Sequence, residues 1–136
     1  MFNLKIADHV FCINNKYDFI KKMCSNYITN ESSNEIISVT DTEIKAENTE
    51  NLNFKNDYLE TLAVYRKICE KLVEDNIILF HCSAIMINNS AILFTAPSGT
   101  GKSTHTRMWQ ECFGERVTVI NDDKPLIKIN YREAVI

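Results

Sequence analysis

A run of eight residues, positions 96–103, constrains this chain more than any other part of it. The run is Ala-Pro-Ser-Gly-Thr-Gly-Lys-Ser, which fits the pattern of a small residue, four others and then Gly-Lys-Ser. Loops of this pattern place consecutive backbone N–H groups around a phosphate, and the next helix directs its positive end at the same charge. Lys102 would reach the β- and γ-phosphates, and the Ser103 hydroxyl would ligate Mg²⁺. The predicted phosphate-binding residues are Ala96, Pro97, Ser98, Gly99, Thr100, Gly101, Lys102, Ser103 and Thr104.

The residues on either side of this run support the interpretation. Residues 90–95 form a short apolar run typical of a buried strand. After Lys102, the side chains of Met108, Trp109 and Cys112 recur at helical spacing, and Gly114 ends the pattern. Strand, loop and helix is the order that a phosphate-binding loop requires. The alternative, a glycine-rich turn that binds nothing, explains this context less well.

Composition excludes several classes of protein. The chain has 136 residues and a net charge of −3, without the basic face that binding to nucleic acid requires. No apolar stretch approaches the roughly 20 residues that span a bilayer, and charged residues occupy the N-terminus where a signal peptide is apolar. The five cysteines are scattered, which argues against a disulfide framework and a zinc site. We therefore expect a cytoplasmic protein with no nucleic-acid or membrane partner.

Periodicity predicts an α/β fold with a mixed β-sheet, divided into an N-terminal α+β segment at 1–56 and a nucleotide-binding core at 57–136. Helices are expected at residues 16–28 and 58–74, the second capped by Asp57. One or two strands are expected at residues 2–13, around Asp8-His9, and single strands at 35–40, 77–87, 90–95, 117–121 and 125–129. The Asn88-Asn89 turn makes the strand before the loop antiparallel to its predecessor. Residues 41–55 are polar and expected at the surface, partly helical.

Two acidic residues follow the predicted strand at 117–121. Asp122 and Asp123 would lie at the end of the sheet where ligands bind in such folds. One carboxylate there could hold Mg²⁺ and the other accept a proton from an attacking hydroxyl. A solvated turn before Pro125 is the other interpretation. His81 lies among apolar residues, where a packed histidine is more common than a catalytic one.

These features together resemble the nucleotide-binding core of HPr kinase/phosphorylase and the phosphoenolpyruvate carboxykinases. The resemblance is carried by His81 before a strand–turn–strand, by Pro-Ser-Gly-Thr-Gly-Lys-Ser-Thr, and by a strand ending in Asn-Asp-Asp. Bacterial carboxykinase-like, serine kinase-like proteins have segments similar to residues 93–106 and 121–126. The strong likeness covers about a third of the chain.

The resemblance implies a role for each matching residue. Lys102 and Ser103 match the phosphate and metal ligands, and Asp122 and Asp123 match the paired carboxylates. The second carboxylate would take a proton from an acceptor serine, and His81 would assist it. Which aspartate is base and which is metal ligand stays open, as do the roles of His9, His105 and Arg107.

The resemblance also implies that the chain holds only the N-terminal part of such an enzyme, because relatives continue beyond the Asp-Asp strand. We expect an apparently truncated core that binds Mg·ATP and is built to phosphorylate a serine on a protein or peptide. An exposed sheet edge could then promote homo-oligomers. Two alternatives remain: a phosphoenolpyruvate carboxykinase-like enzyme, and a non-catalytic nucleotide-binding module.

Overall fold

Contacts along the chain divide it into two units, Met1–Leu72 and Val73–Ile136. The computed structural model describes residues 1–49, 53–131 and 133–136. Over these residues the architecture is mixed α/β, with three small three-stranded sheets. The division lies one helix later than the boundary expected after residue 56, since the helix Asn56–Leu72 packs within the first unit.

The first unit contains one sheet and three α-helices among its described residues. The antiparallel pair β1 and β2 is extended by β3, which runs parallel to β2. The strands are β1 (Phe2–Ile6), β2 (His9–Asn14) and β3 (Ile36–Ser38), and the helices are α1 (Asp18–Met23), α2 (Asp41–Ala46) and α3 (Asn56–Leu72). Helix α1 is shorter than the helix predicted at 16–28, because a 3₁₀ turn at Ser25–Tyr27 replaces its last part. The segment expected at 41–55 begins with α2, and its residues 50–52 lie outside the described residues.

Helix α3 forms because apolar side chains recur along one of its faces. Leu59, Ala63, Ile68 and Leu72 are all buried, and the helix packs on α1, α2 and β3. Asp57 is not the N-cap that was predicted: the helix begins at Asn56, and the Asp57 carboxylate, inside the first turn, accepts a hydrogen bond from the adjacent Tyr58 N–H at 2.7 Å. Neither this helix nor any other in the described part of the chain is long and apolar enough to cross a bilayer.

The second unit contains two sheets and one α-helix among its described residues. One sheet has the strand order β4-β8-β9 and the other β6-β5-β7. The strands are β4 (Ile77–Leu79), β5 (Ser83–Ile87), β6 (Ser90–Phe94), β7 (Val117–Asn121), β8 (Leu126–Ile129) and β9 (Ala134–Val135), and the helix is α4 (Lys102–Phe113). Helix α4 packs on β5 and β7.

The prediction of a single strand at residues 77–87 is wrong, because β4 and β5 are separate strands in different sheets. Beyond Leu79 the pairing with β8 continues for one more residue, and the next backbone bond is to the segment after β7. Phe80 donates to the carbonyl of Pro125 at 3.1 Å, and Cys82 donates to the carbonyl of Asp123 at 3.1 Å. The segment 80–82 therefore runs beside the residues that follow β7.

The sheet β6-β5-β7 sets the direction of the loops around it. Asn88 and Asn89 have φ of 50° and 61°, as a two-residue hairpin turn with positive φ at both positions requires. Strand β6 is antiparallel to β5, as predicted, and β7 is antiparallel to β5 on its other side. Strands β6 and β7 therefore point the same way, and both end at the edge where β5 begins.

Candidate functional site

Three chain segments meet at this edge of the β6-β5-β7 sheet. Ser83, the first residue of β5, is paired with Phe94 at the end of β6. The next residue, Ala84, is paired with Asn121 at the end of β7. The glycine loop (residues 95–101, from β6 to α4) and the Asp122-Asp123 pair therefore leave the sheet where His81 enters it.

The backbone of the glycine loop requires its two glycines. Gly99 has φ of 77° and Gly101 has φ of 96°, both in the left-handed region. A Cβ atom at either position would meet no atom within 4 Å, so the requirement comes from backbone conformation rather than from space. Gly101 is the N-cap of α4, and no side chain caps this helix. Among the residues that the structure describes, the first N–H groups of α4 therefore have neither an intrahelical nor a side-chain capping partner.

Lys102 is folded back onto the loop that precedes it. Its Nζ donates to the carbonyl oxygen of Ala96 at 2.9 Å and lies 3.4 Å from that of Pro97. The Thr100 hydroxyl donates to the same Pro97 carbonyl at 2.7 Å. The ammonium thus lies over the loop, held by neutral acceptors that a more negative group would outcompete.

Residues of helix α4, strand β7 and Asp122 line a cavity of about 480 Å³ that is open to solvent. It is lined by Ser103, Thr104, Thr106, Arg107, Gln110, Val119 and Asp122. Thr106 is almost fully buried, and its Oγ1 lies 2.9 Å from the carbonyl oxygen of Ser103 and 3.3 Å from Oδ1 of Asp122. The two residues predicted to ligate the metal, Ser103 and Asp122, therefore line one cavity and share a neighbour.

The backbone of the Asp122-Asp123 pair is fixed by hydrogen bonds from buried residues. The Ser83 hydroxyl donates to the Asp122 carbonyl at 3.0 Å, and the Cys82 N–H donates to the Asp123 carbonyl. On the other side, Oδ1 of Asn121 accepts hydrogen bonds from the N–H groups of Asp123 and Lys124. Burial raises the pKa of the Cys82 thiol, with a smaller opposing effect from Lys102, so this cysteine is protonated and acts in packing.

The side chain of Asp123 lies between two basic groups. Lys124 Nζ donates to Oδ2 at 2.8 Å, and His81 Nε2 lies 3.4 Å from Oδ1. The hydrogen bond from Lys124 lowers the pKa of Asp123 below its usual value, desolvation opposes this, and His81 and Lys102 add smaller reductions. Asp123 is therefore an exposed carboxylate that stays ionised at neutral pH.

The two residues of α4 left open by the sequence have different neighbours. His105 belongs to a row of aromatic side chains: its ring lies 4.6 Å from that of Phe94, and its Nε2 accepts from Trp109 Nε1 at 3.2 Å. Arg107 lines the cavity, and its Nε lies 3.7 Å from an oxygen of Glu111. His105 thus packs beside the glycine loop, whereas Arg107 faces the space next to Asp122.

The donors around the cavity are compatible with Mg²⁺, which prefers oxygen ligands and keeps several of its waters. Ser103 and Asp122 offer a hydroxyl and a carboxylate in one cavity. Within residues 1–49, 53–131 and 133–136, no group of three or more His, Cys, Asp or Glu side chains is arranged to hold a metal ion. Phosphate and water oxygens would complete a magnesium shell here, as is usual for nucleotide-bound Mg²⁺.

Sequence reasoning missed three residues of this region: Thr106, Ser83 and Lys124. Thr106 lies three residues after Ser103, a spacing that puts both on one helix face, so a helical projection could have indicated it. Lys124 follows Asp123 directly in the chain. Nothing in the sequence indicates that Ser83 bonds to the carbonyl of Asp122, because that contact depends on the pairing of β5 with β7.

No family model, curated protein or solved structure matches this chain.

Proposed function

We propose that the second unit binds Mg·ATP at the glycine loop and transfers the γ-phosphoryl group to a serine hydroxyl of a protein or peptide. One observation carries the proposal. The loop, the Asp122-Asp123 pair and His81 emerge together at one edge of one sheet, and His81 lies beside Asp123. The HPr kinase and carboxykinase group, which the motifs resemble, uses the same three features.

The nucleotide phosphates would bind at the start of α4. The uncapped N–H groups there and the positive end of the helix dipole favour an anion. Lys102 would leave the Ala96 and Pro97 carbonyls for the phosphates, because a charged acceptor binds an ammonium more strongly than a neutral carbonyl does. The loop would thus bind ATP by exchanging one set of hydrogen bonds for a stronger set.

Ser103 and Asp122 would hold the magnesium ion in the cavity that they both line. When bound, Mg²⁺ offsets the negative charge of the phosphates during transfer. Asp122 suits this role better than Asp123, since Asp123 is already paired with Lys124 and His81.

Asp123 would act as the base toward the acceptor. Its carboxylate would accept the proton of the serine hydroxyl as the serine oxygen bonds to the γ-phosphorus. The bond from that phosphorus to the β–γ bridging oxygen breaks, and ADP leaves with the electron pair. His81 would position the carboxylate, and catalysis would come mainly from placement and charge neutralisation.

Binding is tested by titrating the chain with Mg·ATP in a calorimeter. The wild type is expected to bind, and Lys102→Ala is expected to lose most of the affinity because the phosphates lose their nearest cation. Lys128→Ala, an exposed lysine on β8 of the same unit, serves as the matched control. Equal affinity of wild type and Lys102→Ala would refute the assignment of the loop.

The reaction is tested with γ-labelled ATP and serine-bearing proteins encoded beside this chain. Label on a serine supports the kinase. Formation of phosphoenolpyruvate from oxaloacetate would instead support the carboxykinase alternative. Nucleotide binding without transfer to any acceptor would support the non-catalytic module.

A further inference from the structure

We propose that Thr106 is a positioning residue for the magnesium site, and that its hydroxyl orients the Asp122 carboxylate toward the metal. The inference rests on the proposed binding of Mg·ATP and assigns a role to a residue outside the glycine-loop motif. It starts from the position of Thr106, which is 2% exposed and lines the cavity together with Ser103 and Asp122.

The Thr106 hydroxyl has one proton and two acceptors. The Ser103 carbonyl lies 2.9 Å away and Oδ1 of Asp122 lies 3.3 Å away, so the hydroxyl donates to one of them at a time. The bond to the carbonyl three residues earlier is the local bond that a helical threonine commonly makes. The contact with Asp122 is different, because it joins α4 to the residue that follows β7.

This contact limits how Asp122 can present its oxygens. A donor at Oδ1 leaves Oδ2, which has no hydrogen-bond donor among the described residues. The main chain of Asp122 is held at the same time by the hydroxyl of Ser83 at its carbonyl. When the hydroxyl donates to Asp122, the backbone and Oδ1 of that residue are both held, and Oδ2 is the oxygen available to a metal beside Ser103.

A neighbour that orients a metal ligand typically contributes 10- to 100-fold to metal affinity. Loss of the Thr106 hydroxyl should therefore weaken the binding of the metal, whereas the binding of the nucleotide phosphates to the loop should not change. The expected signature is a selective loss of the effect of the metal on nucleotide affinity.

The experiment compares wild type with Thr106→Val, which keeps the shape and removes the hydroxyl, and Thr106→Ser, which keeps the hydroxyl. ADP affinity is measured by calorimetry with and without Mg²⁺, and Mn²⁺ binding to the ADP complex is measured by electron paramagnetic resonance. Thr118→Val, which removes an exposed hydroxyl from β7, is the matched control.

The proposal expects Thr106→Val to bind Mn²⁺ about tenfold more weakly, with metal-free ADP affinity unchanged. Thr106→Ser and Thr118→Val should resemble wild type. Wild-type metal affinity in Thr106→Val would overturn the inference alone, and so would an equal loss of ADP affinity with and without metal. Failure of the wild type to bind ADP under any condition would refute the proposed function, and the inference with it.

Discussion

His81 Nε2 lies 3.4 Å from Oδ1 of Asp123, although the two residues belong to different segments of the chain. The contact exists because the N–H of Cys82 donates to the Asp123 carbonyl and so places the segment before β5 beside the segment after β7. Lys124 contacts the other carboxylate oxygen. The pair is exposed, so its effect is expected on chemistry rather than on folding.

Asp123→Asn should abolish phosphoryl transfer and leave Mg·ATP affinity unchanged. The amide keeps the size of the side chain but cannot take a proton from a hydroxyl, and a positioned base contributes roughly 100-fold or more. His81→Gln should reduce transfer to a smaller extent, because it removes only the neighbour of the base. The measurements are calorimetry with Mg·ATP and transfer of label from ATP.

His9→Gln, in the first unit, is the control for the histidine substitution and should have wild-type activity. Undiminished transfer by Asp123→Asn would exclude this carboxylate as the base.

Lys124→Met should raise the pKa of Asp123 toward its ordinary value, because the hydrogen bond from Lys124 is the largest cause of the depression. The ionised carboxylate is the proposed base. On acidification, the variant should therefore lose activity at a higher pH than the wild type does. Carbon-13 NMR titration of the carboxyl group measures the pKa, and the acid limb of the pH–rate profile measures the consequence.

Lys128→Met should change neither the pKa of Asp123 nor the acid limb of the pH–rate profile. An unchanged pKa in Lys124→Met would mean that the ion pair does not persist in solution.

The sequence was most informative where a single residue type dictates the local backbone. Asn88 and Asn89 take the positive φ values of the predicted hairpin turn, and Gly99 and Gly101, two glycines of the motif, have positive φ as well. The strand at Val117–Asn121 is confirmed for a related reason, since its short apolar run is bounded by turn residues. Local chemistry fixes each of these features.

The sequence was least informative where the outcome depends on distant pairing. The run from Ile77 to Ile87 is almost continuously apolar, and no local signal indicates that β4 and β5 join different sheets. Helix α3 was predicted, but its apolar face does not reveal which unit it packs in. The contacts of Thr106 and Ser83 with Asp122 were missed for the same reason, because they depend on how α4 and β5 lie against β7.

The first unit should lose stability in acid through Glu43. This residue accepts hydrogen bonds from Lys67 and from Thr40 at the start of α2, and these bonds lower its pKa from 4.5 to about 2. A carboxyl group whose pKa is lower in the folded chain than in the unfolded chain stabilises the fold at pH values above its unfolded pKa. This stabilisation disappears as the pH falls through the folded pKa. The loss should therefore occur between pH 4.5 and about 2.

The Glu43→Gln variant should lack this pH-dependent contribution to the free energy of unfolding, because the amide does not ionise. Denaturant unfolding at a series of pH values, followed by circular dichroism, provides the test. Parallel stability curves for wild type and variant over this pH range would contradict the prediction.

Glu60→Gln should destabilise the first unit by about 1.5–3 kcal/mol, the usual cost of disturbing a buried charged hydrogen bond. Glu60 lies on α3 with 0% exposure, and its two carboxylate oxygens accept the N–H groups of Lys16 at 2.5 Å and Tyr17 at 3.0 Å. Those donors precede α1, whose N-cap residue Tyr17 makes no side-chain cap. A glutamine has one oxygen, so its NH₂ group would face one of the two backbone N–H groups and leave that donor without its acceptor. Glu70→Gln, an exposed position on the same helix, should change stability by no more than about 0.5 kcal/mol. Denaturant unfolding measures both variants, and equal losses in the two would show that the buried carboxylate is not what fixes the start of α1.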